Sequence, residues 1–140
     1  MNPTRTVIPI SSLLAVVALT GACQVASADD GPFGPIHVAT NRGRYSGGGC
    51  PIEVIFTASI NFVMPHPQGF VFNYHWERSD GAKGPVNVVR PSSAQNMVVV
   101  KDAWTLGAAG QHYEVSVKLF VNSGETHLEQ TSQVVPLTCK

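Results

Sequence analysis

The sequence predicts an all-β fold, a single sandwich of about seven short antiparallel strands. Three observations predict it. Apolar and polar residues alternate in several runs, and no stretch sustains a helical apolar period. Gly-, Pro- and Asn-rich punctuation also recurs about every 8–12 residues. The chain has 140 residues, the length of one domain, and 44% of them are hydrophobic, enough for a core. Only 13% are charged, with nine Lys+Arg balancing nine Asp+Glu. That balance excludes both the basic footprint of a nucleic-acid binder and an acidic disordered tail.

Residues 1–28 read as a cleaved secretory leader rather than as part of the fold. Arg5 is the only charge before Asp29, and an apolar run from Val7 to Leu19 follows it. Ala26-Ser27-Ala28 then supplies a small-residue cleavage site. The apolar run is short of the ~20 residues a membrane-spanning helix needs. Leu19-Thr20-Gly21-Ala22-Cys23 loosely resembles a lipoprotein box, so lipidation of Cys23 is the alternative to its removal. Nothing later in the chain is long and apolar enough to span a membrane.

Asp29 to Pro35 carries Gly31, Pro32, Gly34 and Pro35 and reads as a flexible lead-in, with the folded domain spanning residues 36–140. Ile36 to Thr40 is a short edge strand, and Asn41 to Gly49 a glycine-rich loop. Ile52 to Ile60 alternates cleanly, placing Ile52, Val54, Phe56, Ala58 and Ile60 on one face. Asn61 to Gly69, with Pro65 and Pro67, is a connection. Phe70 to Arg78 alternates again, with Phe70, Phe72, Tyr74 and Trp76 on one side, and Ser79-Asp80-Gly81 is a turn. Val86 to Arg90 and Asn96 to Leu106 supply two further strands, separated by Pro91. Gly107 to Gly110 turns the chain into Gln111–Asn122, where Tyr113, Val115, Val117, Leu119 and Val121 share a face. Leu128 to Thr138 is the last strand.

Cleavage of the leader leaves two cysteines, Cys50 and Cys139, in an oxidising compartment. A bridge between them closes a loop of roughly 90 residues, worth about 4–5 kcal/mol in the chain-entropy picture. The alternative is two separate buried thiols. Six strands separate the two positions, an even number, so in an up-and-down sandwich both sulfurs fall at the same pole.

Cys50-Pro51, the strand Ile52–Ile60, Tyr74-His75-Trp76-Glu77-Arg78-Ser79-Asp80-Gly81, Trp104-Thr105-Leu106-Gly107, Tyr113-Glu114-Val115-Ser116-Val117 and Leu137-Thr138-Cys139 carry a resemblance. Together they resemble bacterial extracellular immunoglobulin-like domains of the fibronectin-III-related kind. The resemblance implies that Trp76 is the core tryptophan of the third strand. It implies that Tyr113 is a corner tyrosine before the sixth, its hydroxyl bonding back to the chain. The sixth strand lacks the cysteine of antibody domains, so the architecture is implied and antigen-receptor function is not.

The residues offer little catalytic chemistry. No Gly-x-Ser-x-Gly occurs, the glutamates are scattered on polar faces, and Gly47-Gly48-Gly49 precedes a strand rather than a helix. Histidine is the exception. His75 and His112 fall on neighbouring strands of an immunoglobulin-like sheet, both facing away from the core. They are candidate ligands for Cu²⁺ or Zn²⁺ with Glu77 or Glu114 nearby; ordinary surface histidines are the simpler reading. His66 is a loop donor at the opposite pole, and His37 and His127 have no evident partner. Phe62 and Phe120 fall outside the inward set; if Phe120, Val71 and Ile55 share an outer face, they form a small apolar patch.

The expectation is therefore an exported, monomeric, non-catalytic interaction module without a cofactor. It presents loops 41–49 and 61–69, or a sheet face, to a protein or glycan. The second reading is a periplasmic Cu/Zn-binding protein using His75 and His112.

Overall fold

The structure, a computed structural model, describes residues 31–140. The expected leader, its cleavage site at Ala28, Cys23 and the first two residues of the lead-in lie outside the described residues. Ten strands follow in chain order: β1 (Phe33–Thr40), β2 (Tyr45–Gly47), β3 (Ile52–Phe62), β4 (Phe72–Arg78), β5 (Asn87–Val89), β6 (Met97–Leu106), β7 (His112–Val115), β8 (Val117–Ser123), β9 (Thr126–Thr131) and β10 (Val135–Cys139). Among the described residues no helix is long and apolar enough to cross a membrane.

The strands build two layers. One is the antiparallel sheet β1-β3-β6. The other combines β5-β4-β8-β9 with β2-β10-β7, because β7 runs into β8 across Ser116 and β9 into β10 across residues 132–134. Two residues separate Val115 from Lys118, whereas three separate their partners Val135 and Thr131. That one-residue excess is a β-bulge, which breaks the ladder and bends the strand. Ser132 repairs it: buried at 6% exposure, its hydroxyl accepts from the Val117 amide at 3.0 Å and donates to the Gln133 carbonyl at 2.9 Å. The two long C-terminal strands expected from the sequence are thus present, each bent at a serine. The extra strand β2 pairs parallel to β10, through Leu137↔Tyr45, Thr138↔Ser46 and Cys139↔Gly47. It lies inside the stretch expected to be a loop.

The core forms where the alternating faces meet. All five inward residues of Ile52–Ile60 are buried, as are Val115, Val117, Leu119 and Val121. One pole is closed by aromatic rings. Phe33, Phe62, Phe70 and Phe72 pack with centroids 5.4–6.2 Å apart. Phe62 continues the inward phase of β3, which runs two residues past Ile60; it belongs to the core, contrary to the sequence expectation. Phe33 is 1% exposed and opens β1 three residues before the expected Ile36. Gly34 and Pro35 are absorbed in a register irregularity between the Phe33↔Phe62 and Ile36↔Ile60 pairs. The Pro35 carbonyl accepts from Asn61 Nδ2 at 2.7 Å.

The opposite pole is closed by a disulfide. Cys50, just before β3, and Cys139, at the end of β10, are bridged with Cα atoms 5.9 Å apart, joining the two layers. Gly107 packs against the bridge at φ +112°, and a Cβ there would sit 2.7 Å from the Cys139 sulfur. Only glycine meets both conditions.

Trp76 is 4% exposed in the centre of β4, and its buried indole N–H has no hydrogen-bond partner among the described residues. Leaving such a donor unmet costs about 1–3 kcal/mol. Trp76→Phe removes the donor along with part of the ring, so the two effects offset. Urea unfolding is expected to place Trp76→Phe within about 1 kcal/mol of wild type and Trp76→Ala about 3–5 kcal/mol below it. Equal losses would contradict an unmet donor.

Candidate interaction face

The histidines expected to pair lie apart. β4 meets β8 in the register His75↔Phe120, Glu77↔Lys118, Arg78↔Val117. His112 is eight residues before Phe120 on the same strand line, about 25 Å away at ~3.3 Å per residue. There it is paired with Thr138 of β10 and bonds the Thr138 hydroxyl at 3.0 Å. Both histidines do face outward, as the alternation requires, but the register separates them. Among the described residues no group of three His, Cys, Asp or Glu is placed to hold a metal ion.

His66 is buried rather than offered as a loop donor. Its Nε2 lies 3.0 Å from the Ser92 carbonyl and 3.1 Å from that of Gln95, and its ring packs 5.6 Å from Phe62 and from Phe70. It pins the 63–71 connection to the aromatic pole. The 41–49 stretch is tied down as well: Asn41 Oδ1 accepts from the Ile55 amide at 2.8 Å, and Arg42 Nε donates to the Glu53 carbonyl at 3.2 Å. Tyr113 is half-buried within β7, and among the described residues its hydroxyl makes no hydrogen bond. The tyrosine that does close a turn is Tyr45, whose hydroxyl accepts from the Gly49 amide at 3.1 Å. Phe120 and Ile55 belong to different layers and point out of opposite sides, so the apolar patch expected from them does not form.

What the fold does assemble is the outer face of β4-β8-β9. His75 lies flat on Phe120, ring centroids 4.8 Å apart and planes within 3°. Its Nε2 is 3.3 Å from Glu77 Oε1, which also pairs with Lys83 Nζ at 3.0 Å. The Lys83 ammonium, and then His75, hold the Glu77 carboxyl below its ordinary pKa. Lys118 Nζ sits 5.7 Å from the Phe120 ring centre and 3.5 Å from Glu129. Along the same face, Asn122 Nδ2 donates to Asn73 Oδ1 at 3.3 Å, and its own Oδ1 accepts from His127 Nδ1 at 2.6 Å. His127 therefore has a partner that the sequence did not reveal. The face therefore carries a stacked His75–Phe120 pair flanked by ion-paired and hydrogen-bonded side chains.

No family model matches the chain, and no curated protein matches it. Among solved structures it is similar to AggA, the major subunit of aggregative adherence fimbriae type I from Escherichia coli. The two are 11% identical, with a TM-score of 0.41, and the match covers 76% of this chain and 95% of AggA.

Proposed function

We propose that the chain is an exported, non-catalytic immunoglobulin-like module of the fibronectin-III-related kind, whose outer β4-β8-β9 face docks a protein or glycan outside the cytoplasm. On this reading residues 1–28 are removed after Ala28, and the mature chain acts as a monomer in a periplasmic or extracellular space. The His75–Phe120 platform carries the proposal. Binding to a surface costs rotamer entropy wherever mobile side chains must be fixed. Here His75, Glu77, Asn122 and His127 are already fixed by contacts within the sheet. A stacked aromatic pair with polar groups beside it suits the edge of a sugar or an apolar side chain with hydrogen-bonding neighbours. A disulfide-closed sandwich, stable in an oxidising space, suits the same role.

Binding to an array of glycans and purified surface proteins tests it, with wild type beside Phe120→Ala. The expected result is a ligand whose binding falls about tenfold or more in the variant, while the variant still melts cooperatively with a loss of about 1 kcal/mol or less. A ligand bound equally well by both proteins would place the function elsewhere.

A further inference from the structure

Among the described residues the second layer lacks a strand segment beside β7. β4 pairs with β8 down to Arg78↔Val117, and two further bonds join Ser79 to Ser116: the Ser79 amide donates to the Ser116 carbonyl, and the Ser116 amide donates to the Ser79 hydroxyl at 3.1 Å. The chain then turns: the Gly81 amide bonds the Arg78 carbonyl, and Gly84 returns to the Trp76 carbonyl on the far side of β4. Beside β7, the lane that β4 would have continued along is left open by the described residues. Among the described residues β7 pairs with β10 alone.

The backbone phase shows which groups face that lane. The Cys139 amide donates to the Gln111 carbonyl, while the Gln111 amide turns to Ala108; that phase makes Tyr113 and Val115 the residues of β7 that exchange bonds with β10. The N–H and C=O groups of His112 and Glu114 therefore point away from β10, into the lane. Pro136, with no N–H to give, sits opposite Glu114, in agreement with this phase.

An open groove of about 280 Å³ occupies the lane. Trp104 and Leu106 of β6 line it from the first layer, and Tyr113 and Val115 of β7 from the second. Among the described residues, Asp80 and Glu114 are the only charged ones that line it. The neighbouring cation, Arg78, is already engaged: it holds Asp102 through two bonds at 3.0 and 3.1 Å, donates to the Ala103 carbonyl at 2.9 Å, and lies over Trp104.

We propose that this groove accepts an extended peptide of basic–apolar alternation, which adds as an antiparallel strand along β7. Continuing the β4 register, a residue opposite Tyr113 points inward onto Trp104 and Leu106. The residue opposite Glu114 points outward, beside that carboxylate, where Lys or Arg fits. Main-chain bonds to His112 and Glu114 supply affinity, and the alternation supplies selectivity. The site is distinct from the His75–Phe120 face and stands without it.

The test uses a fluorescein-labelled, end-capped peptide of about seven residues alternating Val and Lys. Its control has the same composition with valines and lysines in separate blocks. Fluorescence anisotropy on the folded protein is expected to give a dissociation constant of about 0.1 mM or tighter for the alternating peptide, and binding at least tenfold weaker for the blocked one. Glu114→Lys should weaken the alternating peptide by about tenfold or more and turn preference towards a Val–Glu peptide. In wild type, the His112 and Glu114 amides should gain protection from hydrogen exchange when the alternating peptide is added. Equal binding of the two Val–Lys peptides would overturn the proposal. So would no saturation at ~1 mM, unchanged affinity in Glu114→Lys, or no protection at the two amides.

Discussion

Breaking the Cys50–Cys139 bridge is expected to cost the fold about 4–5 kcal/mol and to lower its melting temperature by roughly 15–30 °C. The cysteines are 89 residues apart in sequence, so the bridge constrains almost the whole sandwich in the unfolded chain. It is also the covalent tie between the layers at that pole, entering at the start of β3 and the end of β10. Gly107 fits against it with no room for a side chain, so the pole is built around the two sulfurs. Thermal melts with and without reductant measure the loss, and a Cys50→Ala/Cys139→Ala double variant separates it from other effects of the reductant. A drop of less than about 5 °C would show that the bridge joins parts of the chain already held together.

Phe33→Ala should cost about 3–5 kcal/mol, as large a loss as any single core truncation in this fold. The ring is 1% exposed and contacts Phe62, Phe70 and Phe72. Removing it opens a cavity among three aromatic rings that are themselves anchored in β3, in β4 and just ahead of β4, and so cannot collapse inward. Were residues 29–35 a mere tether, the same substitution would change stability by less than about 0.5 kcal/mol. Equilibrium urea unfolding distinguishes the two outcomes directly.

Period-two alternation made β3 and β8 legible in the sequence, because each has one face wholly buried and the pattern is uninterrupted. The start of β1 was hidden because Gly34 and Pro35 are ordinary loop residues. Only the burial partner of Phe33, itself at the far end of β3, reveals why the strand begins early. The bends in the last two long strands rest on Ser116 and Ser132, residues that carry no sequence signal of a bulge. β2 was missed for a different reason: its three residues pair with a segment about 90 positions away. For the histidines, the facing direction followed from parity, and the distance did not. Register is set by how whole strands slide past one another, and no local pattern encodes that His75 lies opposite Phe120 rather than His112. The His75–Phe120 platform was invisible for the same reason.

The account rests on a two-layer sandwich closed by one bridge across its layers, and on the proposal that it is exported. Non-reducing peptide mapping by mass spectrometry, on protein recovered from outside the cytoplasm, tests this most directly. It should return a single cross-linked species joining the Cys50 and Cys139 peptides, with no thiol at either position open to alkylation. Alkylation of both cysteines in the native, folded material would contradict it.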